Sequence, residues 1–346
     1  MKRSFMFICA AALLLTGCGA SADEASAQLF AMDTVMQLDA YGHQVKQAVS
    51  DAEETIQALE ARLSRTREDS LVSVLNQNGA AQDLSAAEQA LLSEALTFRD
   101  ATGGAFDITI APVMDAWGFT GDSYRVPAQD ELDALLENVN SDEIRLSGSS
   151  VTLGAGQAID LGGIAKGYTS DCVEAVFREN KIESGKISLG GNVFVLGGKP
   201  DGADWRVGIR DPQDENALAA VLTLRDAYAI TSGGYERYFT ENGNTYHHII
   251  DPSTGYPADS GLLSVTVVAE ANGPDFSGPG NGTMCDAFST ALFVMGEERA
   301  LEFWRTGGYD FDLVLVTADG RVIITDGLSD RFEAVKDSGY TYETVS

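Results

Sequence analysis

Residues 160–171, Asp-Leu-Gly-Gly-Ile-Ala-Lys-Gly-Tyr-Thr-Ser-Asp, constrain the fold more than any other stretch of the chain. A short apolar run ends at Ile159, and Gly162 and Gly163 then permit a tight turn and close backbone approach. Ile164, Tyr168 and Cys172 recur at four-residue spacing, which puts them on one face of a helix. The pattern predicts a strand, a glycine turn and a helix N-terminus, with Asp160 before the turn and Lys166 in the first helical turn. Free amides at a helix start favour phosphate, and Lys166 adds a point charge. The spacing matches neither of the common glycine-rich nucleotide motifs. A phosphate cradle and a plain tight turn both stay open on these residues.

Residues 1–17 read as a leader outside the fold. Lys2 and Arg3 precede an apolar run from Phe5 to Leu15 that is too short to span a bilayer. Leu15-Thr16-Gly17-Cys18 then reads as a lipobox, with Cys18 acylated as the first mature residue. This predicts an extracytoplasmic protein anchored to the membrane, a flexible tether over 18–28, one domain over 29–335 and a tail over 336–346. The formal net charge of −29 excludes nucleic acid as a partner, because phosphate contacts need clustered Lys and Arg. Cys9 leaves with the leader and Cys18 carries lipid. Cys172 and Cys285 remain and are read as two small thiols, with their pairing left open.

Alternation at Met36, Leu38 and Ala40 predicts a strand near 30–41. Val45, Val49, Ala52, Ile56, Leu59 and Leu63 predict an amphipathic helix over 45–63. Ser85 and Glu88 form a capping box before another helix, and 130–139 suits a further one. Short β-like runs follow at 143–153, 186–197, 204–210, 219–231 and 262–269. Helical stretches at 284–295 and 297–306 precede a hairpin over 311–325 around Asp319-Gly320. The Gly-, Pro- and Asn-rich insert 270–283 reads as a surface loop.

Several clusters carry chemistry-bearing residues. Gly103-Gly104-Ala105-Phe106-Asp107 and Gly190-Gly191-Asn192 read by default as turns. His247 and His248 are adjacent on a strand and face opposite ways, which disfavours a two-histidine metal site. One of them is left as a base or donor. Asp286 and Thr290 are four apart on a helix of apolar character. A carboxylate and a hydroxyl on one face suit a hard cation such as Mg²⁺, and a buried Asp needs a partner. A local hydrogen bond on a helix face is the other reading.

Taken in order, these pieces resemble the bacterial ApbE family, the FAD:protein FMN transferases. The matching residues are Met32-Asp33-Thr34, Leu63-Ser64 with Ser73 to Asn76, Gly104 to Asp107 with Trp117-Gly118-Phe119, Asp160 to Tyr168, Gly190-Gly191-Asn192, Thr231-Ser232-Gly233, His248 to Pro252 with Thr254-Gly255, and Asp286 to Thr290. The chain departs from the pattern at Gly234, near Thr66, where an aromatic contact is missing, and in its longer 270–283 loop.

The resemblance implies Mg²⁺-dependent transfer of FMN from FAD to a threonine hydroxyl of an acceptor flavoprotein, a redox-complex subunit, with release of AMP. It implies FAD contacts at Met32, Ala105, Phe106, Asp107, Asp160, Lys166 and Ile250. It implies metal ligands at the Gly163 carbonyl, Asp286 and Thr290, with His248 and Lys166 as catalytic groups. An FAD pyrophosphatase and a non-catalytic flavin-binding lipoprotein are the alternatives. The fold expected is α+β: mixed sheets with packed helices in an ApbE-like, T-fold-like architecture, with the site between two interleaved halves.

Overall fold

The computed structural model describes residues 23–121, 123–273, 276 and 278–346. Strand β1 (Glu24–Ala31) and strand β2 (Thr34–Tyr41) form a hairpin. Its two-residue turn, Met32-Asp33, has φ of 48° and 64°. Positive φ at both central residues matches the right-handed twist of the flanking strands. The single strand expected at 30–41 is therefore two strands. The expected tether 18–28 is strand from Glu24 onward, because Ala25, Ala27 and Leu29 pack on the core.

Seven helices follow in the described chain: α1 (Val45–Leu63), α2 (Leu71–Asn78), α3 (Ala86–Ala101), α4 (Ala111–Trp117), α5 (Gln129–Leu136), α6 (Ala165–Glu179) and α7 (Asn281–Thr306). The capping box forms as the sequence predicts: Glu88 N donates to Ser85 Oγ while Ser85 N donates to Glu88 Oε2. The span labelled α7 breaks at Gly296, whose φ of 77° no helix can hold, so the two helical stretches expected on either side of that residue are present and joined by a kink.

Among the described residues the large sheet has nine strands. Its order is β1, β2, Ser184–Leu189, Asn192–Leu196, Ala227–Gly233, Leu262–Glu270, Asp312–Thr317, Arg321–Thr325 and Thr341–Val345. Every neighbouring pair is antiparallel except the last. Helices α1, α6 and α7 pack on one face of it. The other face meets the small sheet of Trp205–Asp211, Asp214–Leu224 and Phe332–Ala334 through a second apolar cluster. A third cluster, around Trp117 and Ile250, underlies the hairpin Tyr238–Glu241/Asn244–His247.

Two expectations about segments are corrected. The stretch 336–346 is no free tail, since Thr341–Val345 pairs in parallel with Arg321–Thr325. The Tyr342 hydroxyl donates to the Ala219 carbonyl, which fastens the short polar run to the small sheet. The run that leads into Asp160, residues 153–159, is not a strand. The backbone of Ile159 pairs instead with the side-chain amide of Asn76, which donates to its carbonyl (2.9 Å) and accepts from its N–H (2.7 Å). One amide thus does the work of a neighbouring strand, which periodicity cannot foresee.

Candidate active site

The glycine turn ends where Ala165 N donates to the Leu161 carbonyl, and α6 starts there. Its first turn lies against the first turns of α7. A Cβ on Gly167 would sit 2.2 Å from the Gly282 carbonyl and 2.5 Å from Asp286 Cβ, so only glycine allows this crossing. The close approach lets the Gly167 N–H donate to Asp286 Oδ2 at 2.8 Å. Asn192 Nδ2 donates to Asp286 Oδ1 at 3.0 Å. Lys166 Nζ stands 4.0 Å from the same oxygen. The helix-start amide at Gly167 therefore already serves a carboxylate of the chain itself, and the phosphate cradle in its simplest form is not what the turn builds.

Asp286 is 2% exposed. Its two oxygens take one donor each, which leaves lone pairs for a further partner. Thr290 Oγ1 lies 3.2 Å from Ser232 Oγ, and a Cβ on Gly163 would be 3.4 Å from it. Asn192 Oδ1, on the amide that holds Asp286, is buried without a partner among the described residues. No three His, Cys, Asp or Glu side chains converge among the described residues. The donor set is thus one carboxylate, hydroxyls and backbone or amide oxygens beside a bare glycine. Those are the preferences of a hard, oxygen-seeking cation, so the residues fit Mg²⁺.

A cleft of about 660 Å³ opens above this corner. Pockets that hold sizeable organic ligands run from about 300 to 1,000 Å³. Met32, Ala105, Phe106, Asp107, Asp160, Gly163, Lys166, His248, Ile250, Asp286 and Thr290 all line it. Every site residue expected within the described chain is thereby brought to one place. Cys18, the expected lipid site, lies outside the described residues.

Within the cleft the groups differ in what they have left to offer. Asp107 caps the short turn 108–110: its Oδ1 accepts from Thr109 N (2.8 Å) and Thr109 Oγ1 (2.6 Å) and from Ser141 Oγ. Its carboxylate holds the wall more than it faces a ligand. Asp160 Oδ1 accepts from Gly162 N, and Oδ2 accepts from Arg65 Nη1 at 2.8 Å. Arg65 also reaches Asp115 and Thr120, tying the end of α1 to the 115–120 segment.

The two histidines separate as strand geometry requires. His247 faces Phe293, accepts from Ile249 N and meets the Ala258 carbonyl at 3.2 Å, so both ring nitrogens are used. His248 lines the cleft, with Nδ1 3.2 Å from the Arg237 carbonyl. A carbonyl only accepts, so Nδ1 carries the proton and Nε2 keeps its lone pair. Burial, helped by repulsion from Arg237 and Lys166, pushes the imidazole down to about 3. It is neutral at pH 7.

Sequence reading missed Arg65, Glu236, Arg237 and Tyr124 and gave Phe119 of the Trp117-Gly118-Phe119 match no site role, yet all of them line the cleft. Arg237 donates to the Phe119 carbonyl (2.9 Å) and to Asp33 Oδ2 (2.7 Å), joining the hairpin turn to the aromatic wall. Tyr124 stacks on Phe239 at 5.2 Å between ring centres. Arg65 directly follows the Leu63-Ser64 pair, and its adjacency was the one available signal. Asn192 was read as part of a turn and instead orients Asp286.

The family model described as the ApbE family matches residues 32–312. A protein of Treponema pallidum named FAD:protein FMN transferase is 33% identical over 308 residues, covering 83% of this chain and 82% of its own. A protein of the same name from Vibrio cholerae is 28% identical over 92% of this chain and 95% of its own. The solved structure of the ApbE protein from Thermotoga maritima superposes with a TM-score of 0.78 at 29% identity, covering 91% of this chain and 97% of that one.

Proposed function

The chain belongs to the ApbE family, and on that premise we propose that it transfers FMN from FAD to a threonine hydroxyl of an acceptor flavoprotein with Mg²⁺ bound, releasing AMP. The observation that carries this is the corner of the cleft where Asp286, Thr290 and the Gly163 backbone meet beside Lys166. Asp286, Thr290 and the Gly163 carbonyl would hold the metal, which when bound neutralises the charge that a splitting pyrophosphate develops. Lys166, at the start of α6, supplies a second positive charge on the same side. Met32, Ala105, Phe106, Asp160 and Ile250 shape the cleft for FAD, and Asp107 braces it through Thr109 and Ser141.

Chemically, the threonine oxygen bonds to the FMN phosphorus, the P–O bond to AMP breaks, and the threonine proton must go to a base. His248 Nε2 is the free lone pair for that proton. Burial lowers its pKa most, and repulsion of a proton by Arg237 and Lys166 adds to that. A bound diphosphate offsets both cations and raises the basicity when it is needed. Catalysis is then mainly positioning and charge neutralisation. The lipobox at Cys18 would place this chemistry outside the membrane, next to subunits of a membrane redox complex; intact mass of the mature protein, starting at an acylated Cys18, checks that anchor.

The test is mass spectrometry of a peptide with a Ser-Gly-Ala-Thr core incubated with the protein, FAD and Mg²⁺. Gain of one FMN on the threonine is the expected result. Free FMN and AMP with unmodified peptide, across several acceptor sequences, would convert the reading to an FAD pyrophosphatase. FAD bound but left intact would make the chain a flavin carrier.

A further inference from the structure

β1 is the terminal strand of the nine-stranded sheet. The hydrogen-bond phase of the hairpin says which of its backbone groups are free. Gly42 N donates to the Asp23 carbonyl at 2.9 Å, so the 23/42 pair is a bonded one. Pairs alternate along an antiparallel ladder. Ala25, Ala27, Leu29 and Ala31 therefore bond to β2, opposite Ala40, Leu38, Met36 and Thr34. Glu24, Ser26, Gln28 and Phe30 turn their N–H and C=O groups outward. No backbone partner meets that outer edge among the described residues. From Glu24 to Phe30 it runs for about 20 Å at the usual strand rise.

Natural edge strands are guarded by Lys, Pro, bulges or brevity. β1, with the sequence Glu-Ala-Ser-Ala-Gln-Leu-Phe-Ala, has none of these: it is eight residues long, in unbroken register, without Lys, Arg or Pro. Its free edge ends at the cleft, because Phe30 lines both. Phe30 is 69% exposed and its cross-strand partner Val35 54%. Tyr124 and Tyr238 are exposed as well, on segments joined to the hairpin turn through Arg237 and its contacts with Asp33 and Phe119. Of the five exposed large apolar side chains among the described residues, Phe30 and Tyr124 line the cleft, and Val35 and Tyr238 each directly follow a residue that lines it, Thr34 and Arg237.

We propose that the outer edge of β1, with Phe30 and Val35 at its tip, is the docking site for the acceptor polypeptide, which adds to the sheet as an extended strand and so delivers its hydroxyl to the cleft. This rests on the reading that the acceptor is a protein. Strand addition gives affinity through main-chain hydrogen bonds and tolerates varied side chains. The small polar row Ser26 and Gln28 suits such a sequence-tolerant partner. A lipid surface uses no such row of backbone groups, and a formal net charge of −29 disfavours anionic membranes.

The variant Gln28→Pro removes an outward N–H and leaves the ladder to β2 intact. Two peptides are compared, a Ser-Gly-Ala-Thr core alone and the same core with eight-residue flanks. In Gln28→Pro, kcat/KM for the flanked peptide should drop at least about tenfold. Labelling of the bare core, and FMN release without peptide, should stay within about twofold. Adding flanked peptide to the wild type should slow hydrogen exchange at the Ser26, Gln28 and Phe30 amides and leave Ala27 and Leu29 unchanged. If Gln28→Pro does not fold, Gln28→Lys replaces it, with the same direction expected. Unchanged labelling of the flanked peptide by a folded variant, or no alternation in exchange, overturns the docking site and leaves the transferase reading standing. FAD splitting by the wild type without labelling either peptide overturns the acceptor reading and the docking site with it. A wild-type dimer in light scattering that Gln28→Pro dissolves would reassign the edge to a second copy. Sedimentation with phosphatidylglycerol vesicles that depends on Phe30 and Val35 would reassign it to lipid.

Discussion

Two buried carboxylates sit at the crossing of α6 and α7, and they have opposite fates. Asp171 is fully buried and accepts from Gly280 N, Gly282 N, Thr283 N, Thr283 Oγ1 and Asn272 Nδ2. It fills the orphan donors at the start of α7 from the neighbouring helix, a cap supplied in trans. Asp286 is nearly as buried but takes only two donors, and it faces the cleft with Lys166 beside it. Both are buried aspartates; the number of donors already spent distinguishes the anchor from the ligand. Glu174 belongs with Asp171, held by Arg178, Asn272 and the Tyr228 hydroxyl.

The comparison breaks most sharply at Asp286. Asp286→Ala should lower Mg²⁺-dependent FAD turnover by about 10³-fold, roughly 4 kcal/mol of transition-state stabilisation. Its melting temperature should move by only a few degrees, since water entering from the open cleft can meet the Gly167 amide and the Asn192 side-chain amide. Retained turnover with normal Mg²⁺ dependence would remove Asp286 from the metal site. At Asp171 the effect should invert. Asp171→Ala takes the acceptor from five donors, of which the buried Gly282 and Thr283 amides have no other partner among the described residues, and should cost about 3 kcal/mol or more in denaturant unfolding. Any loss of activity should be regained at lower temperature or in a stabilising osmolyte. Little change in unfolding, with activity lost, would make Asp171 a functional group.

His248 and His247 repeat the contrast at the end of one strand. His248→Asn should slow transfer to a peptide by about 10²-fold while FAD affinity changes little. His247→Asn should leave transfer within about threefold, because that ring is spent on Ala258 and Ile249. Equal effects on the two would dissolve the distinction.

The smallest expected effect is one of pH. Burial holds the folded His248 imidazole down to about 3, and His247 is lowered by burial too, whereas an unfolded histidine titrates near about 6.5. Between those values the unfolded state binds more protons. Stability is therefore complete above about pH 6.5 and falls as the pH drops toward 3. In His248→Asn the urea midpoint should decline less steeply between pH 7 and 4.5. An unchanged slope would mean that the ring is solvated after all.

The insert 270–283 shows why local composition misleads. Its Gly, Pro and Asn content reads as a surface loop, yet Asn272 is buried and bonds to Asp171, Glu174 and Tyr228, and α7 begins at Asn281. Composition reports what a segment tolerates, and a distant carboxylate decides where its end is fixed.

By itself the sequence determined the helical periodicities of 45–63 and 86–101, the capping box, the i, i+4 placement of Asp286 and Thr290, and the opposed faces of His247 and His248. These depend on spacing within a few residues, and spacing is written in the chain. Only the tertiary structure decided that Asn76 would stand in for a strand at Ile159, that Asn192 and Gly167 would hold Asp286, that Arg65 would reach Asp160, and that 341–345 would close the sheet. Each of these joins residues far apart in the chain. Such contacts are selected by which packed arrangement satisfies every buried polar group at once, and no local window of sequence contains that information.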